Sequence, residues 1–256
     1  MCGIIGLFLK DEKLNSKLGS MLSSMLNTMS DRGPDSSGLA IYNNGNNNKI
    51  KLTLRSENPQ EDFKELNKEL LQKQKLKVSL RNHFNHIVLT VNKKDCNKVE
   101  TFLKKSFSTL SLMSSGENIE IFKEVGLPKN VIQKFGISKM IGTHGIGHTR
   151  MATESAVTTL GAHPFSTGPD QCLVHNGSLS NHNQLRQKLI NEGMQINTEN
   201  DTEVAASYLS LKIKNGKTLK QSLELALSDL DGFYTFLVGT KDGFGVLRDP
   251  ISCKPA

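Results

Sequence analysis

The chain has 256 residues, 36% of them hydrophobic, enough to bury a substantial core as one large domain or one domain with an insertion. Its net charge of +7 comes from lysines interleaved with acids, and three tyrosines without a tryptophan leave little to stack bases, so nucleic acid is not an expected partner. No apolar run approaches the roughly 20 residues that span a bilayer, no basic leader precedes the first strand, and four scattered cysteines without a CxxC pair argue against a disulfide framework or a zinc site, so a cytoplasmic protein without a membrane partner is expected.

The chain begins Met1-Cys2-Gly3-Ile4-Ile5-Gly6. Met1 is readily trimmed before a small residue, which would leave Cys2 with a free α-amine. Thiol and amine titrate at about 8.5 and about 7.7–8.0, so together they make a nucleophile and its own base near neutral pH. Taken alone, Cys2 reads equally well as a small apolar residue on a core strand, since Ile4, Ile5, Leu7 and Phe8 form a buried-strand run. Leu14, Leu18, Met21, Leu22, Met25, Leu26 and Met29 recur at helical spacing and predict an amphipathic helix ending near Ser30. Asp31 to Gly38 is dense in turn formers, Gly38 to Tyr42 reads as a strand, Asn43 to Asn48 as a polar turn, and Lys49 to Leu54 as the returning strand.

From residue 58 to 140 the texture changes. Pro59 to Lys77 predicts a charged helix, His86 to Val91 a strand, Lys98 to Phe107 a helix and Asn118 to Phe122 a short strand, which together suggest an inserted α+β subdomain. It shows no catalytic constellation, and His83, His86 and Cys96 read as incidental rather than as ligands. Gly145 to Thr153 reads as a glycine-flanked strand ending in polar residues, and Cys172 to Gly177 as an apolar strand closing on Asn-Gly. Helices are predicted from Asn181 to Leu189, from Asn200 onward and from Thr218 to Leu230, followed by a hairpin over Phe233 to Leu247.

Five pieces in this order carry a resemblance: Met1-Cys2-Gly3-Ile4-Ile5-Gly6, Arg32-Gly33-Pro34-Asp35-Ser36-Ser37-Gly38, Gly147-His148-Thr149-Arg150, His175-Asn176-Gly177 and Asn200-Asp201-Thr202-Glu203. Together they resemble the class II glutamine amidotransferases, which are N-terminal-nucleophile hydrolases. The resemblance implies an α+β fold, a four-layer α/β/β/α sandwich over 1–256, interrupted by the 58–140 subdomain. It implies that Cys2 attacks L-glutamine to release ammonia and then glutamate, with the Asn176 side chain and Gly177 N–H holding the oxyanion. Arg150 would bind the substrate carboxylate, Asp201 its ammonium, Thr153 a further substrate atom, and Arg32 would order the cysteine end. Read without it, Asn176-Gly177 is a plain turn, Asp201 a helix cap or half of an ion pair with Arg150, and His148 and His175 are structural.

Met151 and Glu154 stand where sugar-phosphate members carry an aromatic and often a histidine, and Arg150 to Thr159 instead resembles amidotransferase subunits of glutamate-synthase type, including that of N-methylglutamate synthase. The expected partner is a synthase subunit or missing domain that accepts ammonia and carries FMN and iron–sulfur clusters, with no cofactor or metal in this chain and an oligomer allowed. The Arg248-Asp249-Pro250 ending resembles a family strand and turn past which the domain continues, so a truncation at Ala256 is expected. Two other readings stay open: the glutaminase domain of an amidophosphoribosyltransferase or asparagine synthetase, and a non-catalytic glutamine-sensing or scaffold module.

Overall fold

The computed structural model describes residues 2–46, 48–72, 75–76, 78–152 and 156–255. The apolar run after Cys2 forms β1 (Gly3–Phe8), and the heptad-like stripe forms α1 (Leu18–Thr28), preceded by a 3-10 turn over Glu12–Lys17. Leu18, Leu22 and Leu26 of α1 are fully buried against Ile5 and Leu39, so the predicted apolar stripe is the face on which the first sheet rests.

That sheet has the order β1-β8-β2-β7, with β2 at Ser36–Tyr42, β7 at Ile119–Val125 and β8 at His144–Arg150, all neighbours antiparallel. The second sheet runs β12-β11-β10-β9, built from β9 (Phe165–Gly168), β10 (Gln171–Leu179), β11 (Gly232–Thr240) and β12 (Gly243–Arg248). The two sheets meet through Ala40, Tyr42, Ile121, Ile146, Val174 and Leu237. Outside the first sheet lie α1 and α4 (Pro128–Phe135). Outside the second lie α5 (His182–Asn191), α6 (Asp201–Lys214) and α7 (Leu219–Asp229). The layers are therefore α/β/β/α. Each sheet buries one face on the other and one under helices, which explains strands that are apolar on both sides.

A third antiparallel sheet, β4-β5-β3-β6, runs from β3 (Lys49–Ser56) through β4 (Ser79–His83) and β5 (His86–Asn92) to β6 (Leu110–Gly116). Helices α2 (Pro59–Gln72) and α3 (Cys96–Ser106) cover one of its faces through Phe63, Leu66, Val99 and Leu103. Here the local reading differs from the structure. Residues 49–54 do not return along β2 but pair with β5 and β6, and the strand after Asn118 joins the first sheet beside β2. A period-2 pattern marks a strand and its buried face, but it carries no information about a partner dozens of residues away.

Two end signals also act differently from the sequence reading. Asn181 makes no cap bond to α5. Its amide instead bridges Asp229 O at 3.0 Å and the Asp231 N–H at 3.1 Å, tying α5 to the start of β11. The cap of α6 is Asn200, whose Oδ1 accepts from the Thr202 N–H at 2.9 Å, which leaves Asp201 free to point elsewhere in the first turn.

Candidate functional site

The antiparallel register of β1 and β8 sets Gly3 opposite Thr149. The Gly3 N–H donates to Thr149 Oγ1 at 3.2 Å, and that hydroxyl donates to Met29 O at 3.0 Å. A Cβ at Gly3 would lie 2.6 Å from the same Oγ1 and 2.8 Å from the Met29 Cβ, so only glycine lets the chain carry Cys2 this close to the sheet. Arg32 donates from Nε to Cys2 O at 3.3 Å, and the Cys2 thiol faces Met151 O at 3.7 Å. The turn after Arg32 then clamps the end of β8. Asp35 N–H donates to Arg150 O at 3.1 Å, and its Oδ2 accepts from Ala152 N–H at 2.8 Å.

Arg150 ends β8 and is 4% exposed. Burial lowers its pKa from the ordinary arginine value, while the Cys2 thiol and the carboxylates of Asp35 and Asp201 act the other way. Those three groups thus act on the guanidinium electrostatically, and one Nη donates to Ala156 O at 3.2 Å.

The second sheet supplies the facing wall. His148 of β8 reaches across the sandwich, its Nε2 2.9 Å from His175 O, and so pins β10 one residue before Asn176. Asn176 is 3% exposed, and its Nδ2 is buried with no hydrogen-bond partner. Gly177 follows with φ of 141°, where a Cβ would stand 2.0 Å from Phe233 O. That conformation belongs to glycine. Asp201 opens α6, where the helix N-terminus favours its charge. Its Oδ2 accepts from Leu179 N–H at 3.0 Å, and its Oδ1 lies 3.5 Å from His175 Nδ1. Burial pushes its pKa up, but contact with His175 and the Leu179 N–H outweigh this and bring it down to about 2. A buried cation at the end of β8 is thus felt by the Cys2 thiol and by the anion that opens α6, and β10 carries an unengaged amide donor on the strand pinned to β8.

Behind this wall Thr202 gathers two imidazoles, with His163 Nε2 at 2.7 Å and His175 Nδ1 at 3.1 Å from its Oγ1. His163 stacks on His148 with ring centroids 3.9 Å apart. Burial drives the His148 pKa down to about 3 and that of His163 well below the usual range, so both rings are neutral. Glu203 closes the α6 entry by accepting from the Asn197 and Thr198 N–H groups at 2.9 and 2.6 Å.

Of the residues singled out from sequence, Cys2, Arg32, Arg150 and Asp201 converge around one centre, and Asn176 and Gly177 lie on the strand pinned against β8. Thr153 lies outside the described residues. The sequence reading missed His163 and Thr149. Thr149 sat inside a noted motif. For His163 no local signal exists, since it meets His148 and Thr202, which are distant in sequence.

Burial raises the pKa of Cys172 to about 12 and that of Cys96 to about 11, and Cys253 is exposed near the chain end. Among the described residues no group of three His, Cys, Asp or Glu is placed to hold a metal, and no helix is long and apolar enough to cross a membrane. A cleft of about 750 Å³ lies elsewhere, between the third sheet and α4, lined by Lys51, Arg81, His83 and Glu120.

Residues 148–256 match the family model for a glutamine amidotransferase domain. The whole chain aligns with a glutamine amidotransferase-like protein, GlxB, of Rhizobium meliloti at 56% identity over 257 residues, spanning 85% of that protein. It also aligns along its full length with a putative glutamine amidotransferase of Methanothermobacter thermautotrophicus, 31% identical and 87% spanned. Among solved structures, the glutamine phosphoribosylpyrophosphate amidotransferase of B. subtilis, determined with ADP and GMP, superposes with a TM-score of 0.57 at 22% identity, covering all of this chain and 38% of that one.

Proposed function

The chain belongs to the class II glutamine amidotransferases, and from that premise we propose that it hydrolyses L-glutamine at Cys2 and hands the ammonia to a synthase partner of glutamate-synthase type. The observation that carries the chemistry is the buried, unpartnered Nδ2 of Asn176. A buried donor without an acceptor costs about 1–3 kcal/mol, a cost that is recovered if an oxyanion forms beside it during turnover.

In this reading, removal of Met1 frees the α-amine of Cys2. The amine takes the thiol proton as sulfur attacks the γ-carbonyl carbon of glutamine. The resulting oxyanion sits between Asn176 Nδ2 and the Gly177 N–H, each donor contributing about 3 kcal/mol. Collapse breaks the C–N bond, the α-ammonium returns its proton to the departing nitrogen, and ammonia and a γ-glutamyl thioester result. Water then attacks the thioester with the amine as base, releasing glutamate and the thiol.

Arg150 grips the substrate carboxylate and Asp201 its ammonium, which orients the side-chain amide toward sulfur. Thr153 adds a hydrogen bond to substrate in this reading, and Arg32, through Cys2 O, keeps the nucleophile's backbone in place. Domains of this family pass ammonia to an acceptor domain or partner. The glutamate-synthase-type acceptor, with its FMN and iron–sulfur clusters, is supported by the run from Arg150 to Thr159.

Intact mass spectrometry before and after incubation with an electrophilic glutamine analogue tests the proposal. The expected result is a starting mass without methionine and a single adduct, blocked by glutamine and absent in Cys2→Ala. Retained methionine with no adduct would overturn it.

A further inference from the structure

The segment leading out of the site, residues 156–164, runs across the first sheet with most of its carbonyls aimed at donors from elsewhere. Ala156 O receives Arg150, and Gly161 O receives Asn200 Nδ2 at 3.2 Å, the same amide whose oxygen caps α6 beside Asp201. Three more carbonyls, those of Leu160, Ala162 and Pro164, converge at 3.1, 2.7 and 3.1 Å on one atom, Nζ of Lys123. Lys123 sits on β7, is 4% exposed, and places its ammonium 4.4 Å from the centre of the Phe165 ring. Three donors meeting three carbonyls is the full complement of an ammonium, and without it those oxygens would be buried unpaired.

The neighbouring Glu124, 8% exposed, binds the same segment from the other side. Its Oε1 accepts from Thr159 Oγ1, and its Oε2 accepts from Asn85 Nδ2 at 2.6 Å. Asn85 stands in the turn between β4 and β5 of the third sheet, anchored there by Ser56 N–H donating to its backbone oxygen at 3.0 Å. Gly38 of β2 completes the seat, since a Cβ there would lie 2.3 Å from His163 O and 2.4 Å from the Lys123 Cβ. The third sheet thus reaches the glutamine site through one short chain of contacts: Asn85, Glu124, Thr159 and the 156–164 carbonyls.

We propose that Lys123 and Glu124 are positioning residues for glutamine, holding residues 156–164 so that Arg150 and the Asn200–Asp201 cap are correctly aimed, and that Asn85 makes the third sheet a brace of that arrangement. The proposal rests on the glutaminase reading for its catalytic consequence, but the bracing itself does not. Neither residue touches Cys2, Asn176 or Gly177, so their loss acts on substrate binding rather than on the chemical step.

Two readouts separate these parts: hydrogen exchange of the 156–164 segment without substrate, and glutaminase kinetics. Lys123→Met is expected to raise exchange in the segment and the KM for glutamine by tenfold or more, with kcat within about threefold and alkylation of Cys2 by iodoacetamide unchanged. Should Lys123→Met not fold, Asn85→Asp carries the test, because it sets a second carboxylate against Glu124. Asn85→Asp alone is expected to raise both exchange and KM. Adding Glu124→Gln exchanges donor and acceptor across the same contact and is expected to restore both, a rescue that general destabilisation would not show.

Unchanged exchange in these variants overturns the brace, and raised exchange with unchanged KM overturns its role in positioning glutamine. Wild-type protein inert to glutamine and to its electrophilic analogue would overturn the glutaminase reading and the catalytic part of the proposal with it, while the exchange data would still decide the brace.

Discussion

Asn176 and Gly177 are adjacent, yet their environments predict opposite couplings between stability and activity. The Asn176 Nδ2 is buried without a partner, so the resting protein gains nothing from that donor. Asn176→Leu, nearly the same shape, is expected to lower kcat by about 10²–10³ while leaving KM for glutamine within a few-fold and the urea midpoint no lower than wild type. A variant that loses activity and stability together would count against an oxyanion role. Gly177→Ala is different, because its Cβ would meet Phe233 O at 2.0 Å with φ at 141°. Relieving that contact moves β11 or flips the peptide, so a loss of about 3 kcal/mol or more is expected together with activity, measured by urea unfolding and ammonia release. At this scale the sequence was informative where chemistry and backbone demand coincide. A cysteine after Met1 and an Asn-Gly within an apolar strand are unusual residues in unusual places. Lys123 was not legible, because a lysine in a strand gives no sign that three carbonyls 37, 39 and 41 positions away will surround it.

Among the elements, α6 links the fold to the site most directly. Its cap, Asn200, satisfies the Thr202 N–H and at the same time donates to Gly161 O, so one side chain fixes both the helix start and the loop that faces it. Asn200→Ala is expected to cost about 1–2 kcal/mol, the loss of a cap plus one buried hydrogen bond. It is also expected to raise KM more than it lowers kcat, since Asp201 sits one residue on. Chemical denaturation and steady-state kinetics check the two effects, and a change in kcat alone would sink the link to Asp201. The helices other than α4, which the sequence reading missed, and the β11–β12 hairpin were readable because their periodicity and turn chemistry are local: α1 carries a buried leucine every fourth residue, and β11 passes to β12 through Gly243 at φ of 141°. The pairing of β3 with β5 and β6, and of β7 with β2, was not readable, since register between distant strands is settled by the assembled core.

At the scale of the whole molecule, the layers are locked together by buried neutral histidines. His148 joins the two sheets of the sandwich, His163 stacks on it and meets Thr202 of α6, and His86 sits fully buried between the third sheet and α4, its ring 4.8 Å from that of Phe135. Burial, with further contributions from nearby cations, brings His86 and His148 down to about 3 and His163 well below its usual range. In the unfolded chain each returns to about 6.5. Between pH 6.5 and about 3 the unfolded chain therefore binds protons that the native state refuses, so stability falls as pH falls through that window. His86 and His148 each cost roughly 2 kcal/mol between pH 6.5 and 5, at about 1.4 kcal/mol per pH unit, and His163 acts in the same direction. Asp201 acts in a lower window. Its pKa is held at about 2, so its contribution is intact above about 3.8 and is lost only as pH falls from there toward 2. Urea unfolding at pH 7, 6 and 5 is thus expected to show a stability drop of several kcal/mol, steepest below pH 6.5, with His148→Gln flattening the slope by about one proton. A flat profile between pH 7 and 5, or a slope unchanged in that variant, would mean that these rings are not held neutral at the junction of the layers.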